Sequence, residues 1–272
     1  MNYWLHNLPL VWMAAVIFGA TYVVAGAIYA VISVSARGKW GQAFRAVSPG
    51  MLPPLGILFG LFVAFTAAQV WSDNDRATSA VDQEASALRS IVILAGAFPG
   101  QPEARLDGLI RSHIQTITNE EWPLMEHREA TLSATPQHLA DALQFTLSLK
   151  ADGAGQETAQ RELVSAIEKA LDARRQRILI SQSEVHPVKW ACLLAQAVCA
   201  LLAISLVHSD DRLAGALTAG IFATGIAACL LLIAAYDRPF VGELKVGPQP
   251  LLQIMPAVAT APSAGAVSPA TK

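Results

Sequence analysis

Charged residues are scarce in this chain of 272 residues. Asp, Glu, Lys and Arg make up 15% of it, whereas soluble domains average about 25%. They are missing altogether from four stretches, each long enough for a membrane-spanning helix of about 20 apolar residues: Met1–Ala36, Ala46–Ser72, Trp190–Ser209 and Leu213–Tyr236. With a mean hydropathy of +0.41, this pattern predicts a multi-pass membrane protein rather than a soluble one.

Sequence motifs for catalysis, metal binding and nucleic-acid binding are also missing. The three cysteines, Cys192, Cys199 and Cys229, all lie in apolar runs, which is typical of packing residues. None of the six histidines has a metal-ligand spacing such as H-E-x-x-H, and there is no Gly-rich phosphate loop or nucleophile elbow. The missing motifs lead us to predict no enzyme activity, no cofactor and no metal site, and the net charge of −2 leads us to predict no nucleic-acid partner.

Four spans are predicted at 8–35, 52–71, 188–207 and 214–236. Helical periodicity between the second and third spans makes the predicted fold an all-α membrane protein with a helical soluble insert. The predicted divisions are a first transmembrane hairpin (8–71), the insert (72–187), a second hairpin (188–236) and a C-terminal tail (237–272). The tail is rich in Ala, Pro, Ser and Thr, so it is expected to be largely disordered after 250.

The insert shows four helical stripes of apolar residues. The first, which includes Val81 and Leu88, continues the second span without a break. The second stripe, starting at Leu106, is expected to end near Trp122-Pro123, and the third to begin after Thr135. The fourth starts at Leu163 and runs towards the third span.

Basic residues near the membrane ends favour a cytoplasmic insert. The side that carries the insert has eight of them: Arg76, Arg89, Arg174, Arg175, Arg177, Lys189, Arg238 and Lys245. The loops on the opposite side have four: Arg37, Lys39, Arg45 and Arg212.

The second span, Pro54–Val63 followed by Gln69-Val70-Trp71, resembles the second transmembrane helix of bestrophins. There a proline-led apolar helix carries a glycine at the position of Gly60 and ends in tryptophan. Further segments between Leu52 and Pro250 are similar to the bestrophin-like domain family of bacterial membrane proteins: Trp71–Ala77, Glu84–Arg89, Glu120–Pro123, Arg174–Arg177 and Asp237–Leu244.

This resemblance implies an ion channel of the bacterial inner membrane, with an apolar neck lined by the second span. It also implies a homo-oligomer, pentameric as in bestrophins, whose partners are membrane lipid and small ions. An alternative from the residues alone is a non-conducting membrane scaffold or sensor that uses the insert to bind a partner. The dense acidic stretch that binds calcium in bestrophins is reduced here to Asp237 and Glu243, so no calcium site is expected.

Aligned on Pro54 and Gly60, the bestrophin neck positions fall on Pro53, Ile57 and Leu61. Phe65 continues the same four-residue ladder. A ring of such bulky apolar side chains creates a constriction that can dewet and block ions. The alternative is that Ile57, Leu61 and Phe65 face lipid or another helix.

Small residues on the second span, Gly56, Gly60 and Ala64, are predicted to allow close helix packing. A second such stripe lies on the fourth span: Gly215, Ala219, Ala223 and Ala227. Thr66 and Gln69, near the inner end of the second span, are predicted either to line the pore or to form hydrogen bonds between helices.

Charged residues of the insert give two further predictions. Asp73 and Arg76 are placed at the pore exit, where a local pair between them would leave the sign of the permeant ion open. The acidic pair Glu120-Glu121 is expected to meet the basic cluster Arg174–Arg177 between insert helices or subunits. Alternatively, the basic cluster contacts anionic head groups or attracts ions into the pore.

Overall fold

The computed structural model describes residues 8–36, 47–133, 135–208 and 212–256, and these ranges contain helices and no β-strand. Four helices are long and apolar enough to cross a membrane: α1 (Leu10–Ser35), α2 (Leu52–Ala95), α7 (Pro187–Val207) and α8 (Arg212–Tyr236). A short 3₁₀ turn, Pro49–Met51, precedes α2. The predicted all-α fold with four spans is therefore confirmed.

The helices between α2 and α7 are α3 (Gln101–Thr116), α4 (Trp122–Glu126), α5 (Gln137–Ser148) and α6 (Ala154–Ser181), and a last short helix is α9 (Gln249–Gln253). As predicted, the stripe of Val81 and Leu88 belongs to the helix of the second span. Leu251 of α9 is buried, so the chain is structured just beyond residue 250. The rest of the predicted disordered tail, 257–272, lies outside the described residues.

Two compact units make up the chain. The spanning unit comprises Met1–Thr78, Met125–Arg128 and Leu179–Gly247, and the insert unit comprises Ser79–Leu124, Glu129–Ile178 and Pro248–Lys272.

In the spanning unit, α1, α7 and α8 pack on one another around an apolar core. The small-residue stripe of α8, Gly215, Ala219, Ala223 and Ala227, is buried, as predicted. A Cβ added at Gly215 would lie 3.0 Å from the carbonyl oxygen of His208 and 3.3 Å from the Tyr29 ring. Two tyrosines of α1 also bond to α8: the Tyr22 and Thr224 hydroxyls are 2.7 Å apart, and Tyr29 donates to the Arg212 carbonyl at 2.8 Å.

The insert unit has its own core, since the apolar stripes predicted from the sequence point inward. Its fully buried side chains include Leu88, Ile91, Leu106, Ile114, Leu163 and Ile167. One boundary was predicted wrongly: the helix does not end at Trp122-Pro123 but passes through a π-helical turn, Ile117–Glu121, into α4. Proline lacks an N–H and crowds the preceding turn; the wider π turn accommodates this.

Candidate functional site

The predicted neck residues lie on one exposed stripe of α2. Relative exposure is 68% for Ile57, 51% for Leu61 and 68% for Phe65. Four-residue spacing advances only about 40° around a helix per step, so the three side chains stack along one face. An isolated apolar side chain on a surface is ordinary, but a continuous exposed stripe is typical of an interaction surface or a lipid-facing surface.

The opposite side of α2 is held by the spanning unit. Phe59, Phe62 and Val63 pack partly buried against its core, and Val70 is 2% exposed. This contact fixes the rotation of α2 about its own axis. It leaves the stripe of Ile57, Leu61 and Phe65 uncovered by the described part of the chain.

The two predicted polar lining residues are not on that stripe. Thr66 is 4% exposed, and its hydroxyl donates to the Phe62 carbonyl at 2.8 Å, a bond within the helix itself. Gln69 is half-buried, and its amide oxygen accepts a hydrogen bond from the Lys189 ammonium of α7. Gln69 is therefore bonded to a neighbouring helix, and Thr66 is bonded to its own helix.

The predicted packing residues of α2 have open space around them. A Cβ added at Gly56 or Gly60 would meet no atom of the described chain within 4 Å outside the helix's own turns. Ala64 is exposed. Among the described residues, Gly56 and Gly60 therefore have no close neighbour outside their own helix, and the role of the three small residues in close packing stays a prediction.

The predicted exit residues form a local pair. The Arg76 Nη1 and Asp73 Oδ1 atoms are 3.4 Å apart, and the Asp73 side chain is only 18% exposed. The carboxylate that continues the neck stripe is instead Asp75, which is exposed. Asp75 follows Ile57 by 18 residues. This distance equals five helical turns of about 3.6 residues each, so both residues lie on the same face of α2. The spacing can be read from the sequence.

A buried charge network lies in the insert unit. The Arg177 guanidinium donates through Nε to Glu84 Oε2 at 2.6 Å and through Nη2 to Glu121 Oε2 at 2.8 Å. Arg174 binds the other oxygen of Glu121, with Nη2 at 2.6 Å. The side chains of Glu84 and Arg177 are both 0% exposed. We call these four residues the buried network.

Charge pairing sets the ionisation of this network. Burial by itself would raise the pKa of Glu84, but Arg177 and His113 lower it to about 2. Burial likewise opposes the ionised form of Glu121, but Arg177 and Arg174 outweigh it and lower that pKa. Burial disfavours the charge on Arg177, yet the two carboxylates raise its pKa. The pairs are therefore ionised at neutral pH, and the His113 Nε2 atom lies 3.6 Å from Glu84.

The predicted meeting of Glu120-Glu121 with Arg174–Arg177 is confirmed in part. Glu121 meets Arg174 and Arg177 between helices of one insert, whereas Glu120 and Arg175 are exposed. The role of Glu84 was not predicted from the sequence, although one signal was present: this charged residue stands on the apolar stripe between Val81 and Leu88. A charge on a buried helical face calls for a partner of opposite charge.

A second charge cluster lies in the spanning unit, where Glu184 precedes α7, Arg238 follows α8 and Arg128 follows α4. Glu184 accepts from Arg128 at 2.6 Å and from Arg238 at 3.0 Å. Asp237, directly after α8, accepts the Val185 backbone N–H at 2.7 Å. Within the described ranges, no group of three or more His, Cys, Asp or Glu is placed to hold a metal ion.

The comparisons with known proteins agree with this architecture. Two crystal structures of single-residue variants of a bacterial bestrophin homologue from Klebsiella pneumoniae match with TM-scores of 0.69 and 0.67, both at 12% identity. The matches cover 89% of this chain and 97% and 96% of the homologue. A third, zinc-phased structure of a bacterial bestrophin homologue from the same organism matches with a TM-score of 0.66 at 11% identity, over 89% of this chain and 95% of that one.

At such low identity these structures establish the fold. No curated protein sequence matches the chain. The model of the Bestrophin-like domain matches residues 19–251, which include all four candidate spans except the start of α1. The chain is therefore a membrane protein that belongs to the Bestrophin-like domain family.

Proposed function

We propose that this protein is an oligomeric ion channel of the bacterial inner membrane, with α2 around the axis and the insert in the cytoplasm. The observation that carries the proposal is the exposed stripe of Ile57, Leu61 and Phe65, on a helix whose other side is already packed. A pentamer, as in bestrophins, would bring five copies of the stripe together.

In such a ring, Ile57 and Leu61 form an apolar gate with Phe65 below them. Water leaves a narrow apolar constriction easily, and an ion that must lose its hydration shell is blocked until the ring widens. Gly56, Gly60 and Ala64 then contact neighbouring copies, since small residues let helices approach closely in lipid. Thr66 is left out of the lining because its hydroxyl is already bonded and buried.

Alanine substitutions in the stripe test this proposal. The double variant Ile57→Ala with Leu61→Ala removes bulk from the ring and is expected to raise basal current in reconstituted bilayers. The matched control is Leu217→Ala with Ile221→Ala, which removes the same two side-chain types at the same spacing from α8, where they are 60% and 71% exposed. Equal currents from both double variants would refute the gate. A twofold particle with α2 against lipid would favour the scaffold alternative.

The exposed Asp75 is expected to bias the pore towards cations, because it continues the neck stripe. Asp73→Asn is the matched control, since Asp73 is paired with Arg76. We expect Asp75→Asn to shift the reversal potential in a KCl gradient more than Asp73→Asn does. The same shift from both variants would remove Asp75 from the conduction path.

A further inference from the structure

A polar groove, which we call the α2–α6 groove, runs along the insert unit between these two helices. Its volume is about 560 Å³, several times the roughly 150 Å³ that holds a benzene-sized molecule. Three buried small residues line it: Ala87, Ala166 and Ala173. Because alanine side chains are short, they leave a trough between their longer neighbours, and this trough has room for a long side chain from outside.

The walls of the α2–α6 groove carry charges that are not paired. Glu162, Lys169 and Asp172 line it from α6. None of the three has an ion pair or a side-chain hydrogen bond within the described part of the chain. Two carboxylates and one ammonium leave a net charge of −1, so a positively charged side chain is the complement that this groove favours.

Two contacts fix how α2 and α6 are aligned. At one end, Arg177 of α6 donates to Glu84 of α2 at 2.6 Å. At the other end, the Gln156 amide of α6 donates at 2.9 Å to the carbonyl of Ala97, just beyond α2. Residue numbers rise along α2 while they fall along α6, so the two helices are antiparallel.

This alignment places Asp172 and Arg89 at nearly the same level of the insert unit. Asp172 precedes Arg177 by five residues in α6. Arg89 follows Glu84 by five residues in α2. Since the helices are antiparallel, each lies about 7.5 Å from the buried Arg177–Glu84 pair in the same direction.

Arg89 points away from the groove of its own chain. It is exposed, and it has no ion pair or side-chain hydrogen bond with any described residue. It precedes Ser90, which lines the groove, and successive residues point about 100° apart around a helix. The exposed face of α2 in the insert unit therefore has two edges, one on the groove and one at Arg89.

We propose that the α2–α6 groove is the docking site for a second copy of this chain, whose Arg89 enters it and pairs with Asp172. The inference rests on the proposed channel, in which α2 surrounds the axis. In such a ring the two edges of α2 face the two neighbouring copies, so Arg89 of one copy faces the groove of the next. Rotation about the axis does not change height, so this Arg89 arrives at the level of Asp172.

The pair completes the charge balance of the groove. The guanidinium of Arg89 brings the net charge from −1 to zero, and its planar donors match a carboxylate in geometry. Each copy gives one arginine and receives one, which is the head-to-tail type of interface that closes into a ring.

Charge exchange tests the pair. The full-length protein is purified in mild detergent, and native mass spectrometry measures the concentration at which half of the oligomer has dissociated. Arg89→Asp is expected to raise this concentration about tenfold or more, as for close charge pairs at other interfaces. Arg89→Asp combined with Asp172→Arg is expected to restore it, because the pair is kept with its charges exchanged. The matched control is Arg175→Asp, an exposed position of α6 outside the groove, which is expected to change nothing.

Cross-linking tests which residues meet. The three native cysteines are replaced by alanine, and Arg89→Cys and Asp172→Cys are introduced together and treated with a short bis-maleimide. Links between copies are expected to give a ladder of covalent oligomers on a denaturing gel, whereas a link within one chain leaves the monomer band. In the matched control, Asp172→Cys is replaced by Asp141→Cys, an exposed position of α5 outside the groove, and no ladder is expected.

Three results would overturn the proposal. Equal dissociation of Arg89→Asp and Arg175→Asp would show that Arg89 makes no contact between copies. Failure of the exchanged pair to restore the oligomer would show that Arg89 meets a group other than Asp172. A conducting protein without the cross-linked ladder would refute the docking site and leave the channel. Conversely, a cross-linked ring that carries no current would support the docking site and refute the channel, so the two proposals can fail separately.

Discussion

Replacing Glu84 by Gln tests whether the buried carboxylate stabilises the insert unit. Gln keeps the size of the side chain and removes its charge, so Arg177 loses the partner that lies 2.6 Å from its Nε. Glu121 still binds Arg177, but the guanidinium then shares one carboxylate with Arg174. An incompletely paired charge without solvent contact is strongly destabilising.

The expected loss of folding free energy follows from the pKa of Glu84, which falls from an ordinary 4.5 to about 2 in the folded chain. By linkage, this difference corresponds to about 3 kcal/mol of folding free energy. It agrees with the loss of roughly 3–5 kcal/mol that is typical when one partner of a buried pair is removed. Because folding lowers this pKa, the stabilisation is fully present above pH 4.5 and is lost as the pH falls towards 2.

Hydrogen exchange of the full-length protein measures this loss locally, in peptides from α3 and α6. A loss of about 3 kcal/mol predicts roughly hundredfold faster exchange where opening of the insert unit limits the rate. The matched control is Glu120→Gln, since Glu120 is exposed and a surface change costs less than about 0.5 kcal/mol. If both variants exchange at the same rate, the Glu84 carboxylate does not stabilise the insert unit.

Three further outcomes are expected. The melting temperature of Glu84→Gln should fall less steeply between pH 4.5 and about pH 2 than that of the wild type, because the titrating group is gone; parallel profiles would contradict this. Gly215→Ala should lower the melting temperature more than Gly220→Ala does. A Cβ at Gly215 meets a carbonyl oxygen at 3.0 Å, while a Cβ at Gly220 has open space. A lower melting temperature for Gly220→Ala would be inconsistent with tight packing at Gly215. Asp237→Ala should destabilise the chain by about 1–3 kcal/mol in denaturant titration, because the buried Val185 N–H loses its acceptor, and an unchanged midpoint would argue against that bond.

The positions of the four spans could be predicted within a few residues, because each is a charge-free run that has no stable alternative in a membrane. The start of α7 was readable from Pro187, since proline fits the first turn of a helix. The continuation through Trp122-Pro123 could not be read in this way. Whether a proline ends a helix depends on whether the preceding turn can widen, and tertiary contacts decide that.

The candidate site was predictable where it depends on one helix and not where it depends on two. The spacing of Ile57, Leu61 and Phe65 places them on one face without reference to any other residue. Glu84 and Arg177 are 93 residues apart in sequence, and helical periodicity carries no information about which helices meet. For Thr66, the position along the second span indicated the depth in the membrane, but the sequence did not indicate which side of α2 the core of the spanning unit covers.

The contact between α1 and α8 has a consequence for how the protein is made. The Tyr22 and Thr224 hydroxyls that join them are separated by 202 residues, so the first helix leaves the ribosome long before its partner exists. During synthesis it must persist in the bilayer without α8, which its uninterrupted apolar sequence permits. Assembly of the bundle is completed only by the last span, so we expect any nascent chain released before that point to present an open seam on α1 to membrane proteases.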